Sequence, residues 1–312
     1  MKRKIIIIGS GPAAWSAAIY AARADLNPLV FTGYQKGGVR GGQLVLTTDV
    51  ENYPGFPQGI FGAELVKLME LQARRFDTEV YEEDVLDVNL SIYPFIVEGS
   101  NTNVEAESII VATGAYAKRL DVKGDTQFWG KGVSACAVCD GALPIFRNKI
   151  IGVVGGGDTA CEESLFLTKY ASRVYIILRK NSFRASKIMQ DRIMNNPKIE
   201  VIYDYEVIEI FGDNIIKGVV LKHSKNETIK QLELGGLFYG IGHSPNVDFL
   251  KNKILLDNDD YIVVNSLSTK TSVDGVFAAG DVVDKVYKQA ITAAGMGCMA
   301  ALDAEKYLQG RE

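Results

Sequence analysis

Ile5-Ile6-Ile7-Ile8-Gly9-Ser10-Gly11-Pro12-Ala13-Ala14 is the stretch on which the fold turns. Four consecutive isoleucines suit a strand buried on both faces of a parallel sheet. The glycines permit the tight turn that follows, and a small-residue helix is predicted over 12–24, with a second strand over 29–31. Strand, glycine turn, helix and strand in that order form the unit in which a dinucleotide pyrophosphate rests on an open helix N-terminus. Such a turn alone is a weak signal, because many strand–helix turns carry glycine. Its place directly after four isoleucines strengthens it.

Working outward, a glycine-rich loop follows, Gly37-Gly38-Val39-Arg40-Gly41-Gly42-Gln43, and then the irregular Asn52-Tyr53-Pro54-Gly55-Phe56-Pro57. An amphipathic helix is expected over 62–76, and an apolar strand over 108–112 closed by Thr113-Gly114. The pattern then restarts, with a strand over 149–154, the turn Gly155-Gly156-Gly157, a helix over 158–170 and a strand over 173–178. Residues 237–242 and 276–281 each read as a strand ending in a glycine turn, and a small-residue helix closes the chain over 289–308. Two such units argue for an α/β protein with two Rossmann-like domains. The last third lacks a fingerprint of its own, and its strand, turn and helix could complete the first sheet.

The bulk composition agrees. At 312 residues, 47% hydrophobic and 23% charged, the chain has the balance of a globular enzyme with room for two domains. A net charge of -4 gives no basic footprint for nucleic acid or anionic lipid. No apolar run approaches the ~18 residues of a membrane span. Met1-Lys2-Arg3-Lys4 before the isoleucines has the look of a signal peptide, but the apolar stretch is short and runs into the fingerprint. The cytosol is therefore the expected compartment. Four cysteines are too few for a disulfide scaffold.

Between the fingerprints lies Cys136-Ala137-Val138-Cys139-Asp140. A zinc site would need a second ligand pair, and Cys161, Cys298, His223 and His243 stand at no ligand spacing. Inert thiols fit poorly with two cysteines three apart beside a carboxylate, so a redox dithiol opening a short helix over 136–142 is the reading, with the helix start favouring a thiolate. Cys161 and Cys298, among small helical residues, read as core packing. After the strand of the second fingerprint stand Arg179 and Lys180, then Arg184, where cations would pair with the 2′-phosphate of NADPH; a solvated basic turn is the plainer alternative. After the first fingerprint, where an acid usually binds ribose, the chain reads Phe31-Thr32-Gly33. Asp281, at a strand end, could accept hydrogen bonds from ribityl hydroxyls or could cap a following helix.

These segments, in order and together with Gly41-Gly42-Gln43-Leu44, Ala112-Thr113-Gly114, Ile241-Gly242-His243-Ser244-Pro245-Asn246, Ala278-Ala279-Gly280-Asp281 and Gln289-Ala290, resemble the low-molecular-weight, bacterial-type thioredoxin reductases over essentially the whole chain. The resemblance implies an FAD domain from residues 1–114 plus 245–312, an inserted NADPH domain over 115–244 that carries the cysteine pair, and a homodimer. It implies FAD contacts from Gly9, Ser10, Gly11, Pro12, Ala13 and Ala14, and from Gly42, Gln43, Leu44, Asn52 and Val85. Further FAD contacts are implied for Ala112, Thr113, Gly114, Gly280, Asp281, Lys288, Gln289 and Ala290. NADPH contacts are implied for Gly155, Gly157, Asp158, Thr159, Arg179, Lys180, Arg184, Ile241 and Gly242. Leu178 and Lys180 depart from the family pattern, which has histidine and arginine there, so NADPH preference is expected to be softer. By the same resemblance Cys139 meets the flavin, Cys136 attacks the disulfide of thioredoxin, and Asp140 handles the proton. The inserted domain is expected to rotate, pivoting near 114–118 and 242–247. A different redox protein as acceptor is the alternative function.

Overall fold

The computed structural model describes residues 2–33, 39–47 and 49–311. The chain divides into two compact units, one of Met1–Tyr116 with Ser244–Glu312 and the other of Ala117–His243. No helix among the described residues is long and apolar enough to cross a membrane.

The first unit is built on a seven-stranded sheet. Lys2–Ile8 lies in its middle, parallel to Leu29–Phe31 on one side and to Asn103–Val111 on the other. Ile5 and Ile7 face one apolar layer, Ile6 and Ile8 the other, so the period-two alternation of a strand puts each pair of isoleucines into its own core. Asn103–Val111 has two kinds of neighbour along its length. Its first half pairs antiparallel with Phe95–Gly99, and Ile109, Ile110 and Val111 pair parallel with Val276–Ala278. The C-terminal segment thus completes the sheet begun by the first fingerprint. Helices Pro12–Arg23, Gly62–Arg74 and Ala290–Gln309 cover one face, enclosing Trp15 completely.

The second unit repeats the plan around a five-stranded parallel sheet in the order Val133–Ser134, Gly236–Tyr239, Ile150–Val154, Arg173–Ile177, Ile199–Ile202. The helix Asp158–Leu167 packs against it, and a three-stranded antiparallel sheet runs through Tyr205–Gly212, Ile216–His223 and Ile229–Glu233. That antiparallel sheet was not anticipated from the sequence. Two short strands, Ala115–Ala117 and His243–Pro245, pair where the chain passes between the units.

Several expected boundaries move. The second fingerprint helix ends at Leu167, not near residue 170. No helix begins just after Asp281, because the Asp284 carboxylate accepts from the backbone N–H groups of Val286, Tyr287 and Lys288 and holds a turn there. The last helix starts only at Ala290, so Asp281 is not its cap.

Candidate active site and nucleotide sites

The cysteine pair follows the edge strand Val133–Ser134. Cys136 is the N-cap of the one-turn helix Ala137–Asp140, and its sulfur accepts from the Cys139 N–H at 3.1 Å. The two sulfurs are joined in a disulfide. After reduction that same N–H would favour a thiolate on Cys136, the nucleophilic form. Gly141 lets the turn pack closely, since a Cβ there would lie 2.6 Å from the Ala137 carbonyl oxygen and 2.9 Å from Leu167. Val138, between the cysteines, is 54% exposed, so the tip of the pair faces outward.

Ser134 is a residue that sequence reasoning missed. Its hydroxyl donates to Asp140 Oδ2 at 2.5 Å and accepts from the Cys136 N–H at 3.1 Å. One buried hydroxyl thus ties the carboxylate expected to handle protons to the backbone of the first cysteine. A serine two residues before a cysteine carries no sequence signal for that role. The other cysteines differ from each other. Cys161 is fully buried, and burial pushes its thiol up to about 11, which makes it inert near neutral pH. Cys298 is only half-buried, so simple core packing does not fully describe it. Among the described residues no group of His, Cys, Asp and Glu could hold a metal ion.

At the first fingerprint, Gly9 has φ 137°, and a Cβ there would fall 2.1 Å from the Ala112 carbonyl oxygen. Gly9 N–H donates to the Phe31 carbonyl, and the Ser10 hydroxyl donates to the Thr32 carbonyl at 2.8 Å while accepting from Gly41 N–H at 2.8 Å. The helix then starts from Gly11, whose backbone is extended and whose N-cap position provides no side-chain bond, so the first N–H groups of the helix are open to an anion. Gly280, at φ 79°, approaches Ala13 from the C-terminal segment. Asn52 donates to Gln289 at 3.3 Å, and the Asp284 carboxylate orders Lys288 just before Ala290. Gly42, Gln43 and Leu44 lie in a 3-10 turn, Gly42–Leu46, that leads toward the helix Gly62–Arg74. Gly37 and Gly38 lie outside the described residues. Thr113 and Gly114 are cross-bonded to Asn246, a partner not foreseen for them: the Thr113 hydroxyl donates to the Asn246 carbonyl and Asn246 N–H donates to the Gly114 carbonyl. Val85 opens the strand Val85–Asn89 and packs on the other face of the sheet from the fingerprint helix.

At the end of the strand Leu29–Phe31 the neighbouring acid is already bonded. Gly33 N–H donates to the Glu83 carbonyl, and the Glu83 carboxylate is committed to Asn101 and Thr102. Asp281 is the carboxyl that stands out. Burial, then the nearby Asp284, pushes it up to about 7, which is what a desolvated acid without sufficient donors shows. Polyol hydroxyls would supply those donors. The open helix start and this carboxyl fit the pyrophosphate and ribityl chain of FAD.

At the second fingerprint the turn is repeated almost residue for residue. Gly155 has φ 139°, a Cβ on it would lie 2.2 Å from the Gly240 carbonyl oxygen, and Gly157 is an extended N-cap with no side-chain bond. Nothing lies within 4 Å of a Cβ on Gly157 or Gly242, so both border open space that a nucleotide could fill. Ile241 and Gly242 continue from the strand paired with Ile150–Val154, which places them beside Gly155 and Thr159 at one end of the sheet. The loop after Arg173–Ile177 folds back over the turn, with Arg184 N–H and Ala185 N–H both donating to the Gly156 carbonyl. Arg179, Lys180 and Arg184 are exposed and form no ion pair among the described residues. Leu178, by contrast, is buried against Gly156. Three unpaired cations beside an open helix start suit an adenosine with an added phosphate.

The family of pyridine nucleotide-disulphide oxidoreductases matches residues 3–297, and the chain belongs to that family. It is an oxidoreductase, and Cys136–Cys139 is its disulfide. Within the family it is similar to the thioredoxin reductase of Chlamydia pneumoniae, 51% identical over 307 residues and covering 98% of both chains. It is 52% identical over 306 residues to the NADPH-dependent thioredoxin reductase 3 of Arabidopsis thaliana, covering 97% of this chain but only 58% of that longer relative. Among solved structures, the thioredoxin reductase from Giardia duodenalis superposes with a TM-score of 0.92 at 44% identity, covering 99% of each chain.

Proposed function

We propose that the chain is an NADPH-dependent thioredoxin-disulfide reductase, in which electrons enter from NADPH at the second fingerprint, cross a bound FAD and leave through the Cys136–Cys139 dithiol. The observation that carries this reading is the disulfide itself, held at a helix start in a unit that also bears the open, cationic nucleotide turn. FAD, when bound, supplies the relay between a hydride donor and a thiol pair. The first unit would hold it through the helix start at Gly11, the Asp281 carboxyl and the Asn52–Gln289 pair. The second unit would hold NADPH through the helix start at Gly157 and through Arg179, Lys180 and Arg184.

In this reading Cys139 faces the flavin and Cys136 attacks the partner disulfide. Asp140, anchored by Ser134, gives and takes the proton. The cysteines and the NADPH turn share one unit while the flavin belongs to the other, so the inserted unit turns between two poses during a cycle. A cross-link that locks the units should stop turnover. Exposed apolar side chains on the helices Pro12–Arg23 and Ala290–Gln309 (Tyr20, Ile291, Met299 and Leu302) suit a homodimer interface, which sedimentation would test. The compartment proposed is the cytosol.

The deciding experiment is anaerobic. NADPH is added to the flavin-loaded protein, bleaching is followed, and oxidised thioredoxin is then supplied. Bleaching followed by reoxidation, lost in Cys136→Ser, supports the whole path. Bleaching without reoxidation leaves the NADPH-to-flavin half standing and points to another redox protein as acceptor.

A further inference from the structure

Asp158 is the first residue of the helix Asp158–Leu167, at the place where a pyrophosphate would be received. A carboxylate there repels an anion, so a ligand role for it is electrostatically poor. The structure gives it different partners. Its Oδ1 accepts from the Ser186 backbone N–H at 3.0 Å and from the Ser186 hydroxyl at 2.8 Å. Ser186 is the N-cap of the helix Lys187–Met194, the position where a serine usually accepts from its own helix. Here the hydroxyl makes no such cap bond and turns back to Asp158 instead. The helix forgoes a cap so that the loop can be tied down.

The same segment is fixed from a second side. Arg184 N–H reaches the Gly156 carbonyl at 2.7 Å and Ala185 N–H reaches it at 3.0 Å. Residues 184–186 are therefore stitched across the glycine turn, and Arg184 is the cation within the stitch. Its side chain is exposed and has no carboxylate partner among the described residues. Arg179 and Lys180 are held at their carbonyls only, by the Ser224 hydroxyl and by Asp204 N–H.

We propose that Asp158 and Ser186 form a clamp that pre-positions Arg184 for the 2′-phosphate of NADPH, making Ser186 a specificity-determining positioning residue for NADPH over NADH. This rests on the NADPH reading given above. A guanidinium recognises a phosphate through a planar fork, and a fork carried on a fixed backbone loses less freedom on binding than one on a free loop. Ser186 lies on the loop that carries Arg184 and not on the fingerprint helix, so its loss should weigh on the phosphorylated ligand.

The test is calorimetric titration of the flavin-loaded protein with 2′,5′-ADP and, separately, with 5′-AMP, neither of which turns over. The unsubstituted protein should prefer 2′,5′-ADP; no preference would overturn the NADPH reading itself. In Ser186→Ala the Kd for 2′,5′-ADP should rise about threefold to tenfold while that for 5′-AMP stays put. Ser186→Thr, which keeps the hydroxyl, should restore tight binding. In turnover the alanine variant should show a raised KM for NADPH with kcat unchanged. Equal weakening of both ligands, or no change in either, would overturn the clamp and leave the NADPH reading intact. The Ser186 bonds are exposed, so the alanine variant is expected to fold.

Discussion

Gly9 and Gly155 have φ values of 137° and 139°, and a Cβ on either would strike a carbonyl oxygen at 2.1 or 2.2 Å. Gly11 and Gly157 are both extended N-caps without a side-chain bond. Up to that point the two turns are one device made twice. They part in what surrounds them. The first is closed in by the Gly41 N–H on Ser10, by Gly280 against Ala13, and by the C-terminal helix, where a Cβ on Gly297 would lie 2.0 Å from the Ala13 carbonyl oxygen. The second has open space at Gly157 and exposed cations beside it. The second turn is covered by its own loop, with Arg184 N–H and Ala185 N–H on the Gly156 carbonyl, and the cations that loop carries set it apart. Under the proposed function, the difference between an FAD turn and an NADPH turn is thus built around the turns, not into them.

Single added methyl groups should disturb either turn most. Gly9→Ala and Gly155→Ala each force a left-handed backbone and a clash with main chain, at a cost of about 3 kcal/mol or more. Gly9→Ala should be purified with little flavin, whereas Gly155→Ala should keep its flavin and lose NADPH-driven bleaching. Gly297→Ala has no counterpart in the second unit and should resemble Gly9→Ala, because it pushes the C-terminal helix off the first turn. Flavin content and bleaching rate are read on the same three samples. If Gly155→Ala loses flavin as readily as Gly9→Ala, the two turns do not serve separate nucleotides.

A somewhat smaller effect probes the enclosure through pH. Asp281, at about 7 in the folded chain against 3.8 unperturbed, binds its proton more tightly folded than unfolded. The sign follows: flavin-free protein should lose stability as pH rises from about 4 to 7, by up to about 4 kcal/mol, and change little above that. Asp281→Asn should flatten the slope and make the flavin-free protein more stable at pH 8, while weakening its hold on FAD. Denaturant unfolding at pH 5 and pH 8 measures both. Equal pH slopes in the parent and the variant would remove Asp281 from this account.

Much of the fold was legible in the chain itself. Leu29–Phe31 lies where it was expected, and the isoleucine run marks the central strand, because a strand buried on both faces needs unbroken apolar sequence. Both glycine turns were legible because the tight turn at Gly9 and Gly155 leaves room for no other residue. What escaped depends on hydrogen bonds between polar residues, which leave no periodic trace. Ser186 stands at the cap position of the helix Lys187–Met194, yet its hydroxyl serves Asp158. Ser134 reads as filler before Cys136, yet it joins Cys136 to Asp140. The last helix, by contrast, was legible: expected over 289–308, it runs over Ala290–Gln309.

A slighter effect should come from the cations beside the second turn. Leu178 is buried against Gly156, so its side chain is core and offers nothing to a phosphate. Under the proposed function discrimination falls to the exposed cations, and Lys180 is the one among them that lacks a fork. An ammonium attracts the 2′-phosphate as a point charge but cannot bind two of its oxygens in a plane. Lys180→Arg should raise the ratio of kcat/KM for NADPH over NADH by about twofold to fivefold, through KM alone. The flavin content should not move, because residue 180 lies in the second unit. A change in the NADH constants of the same size would mean that residue 180 acts on the loop's folding and not on the phosphate. Position 180 would then belong with Ser186 among the residues that shape the site, leaving Arg179 and Arg184 to read the ligand.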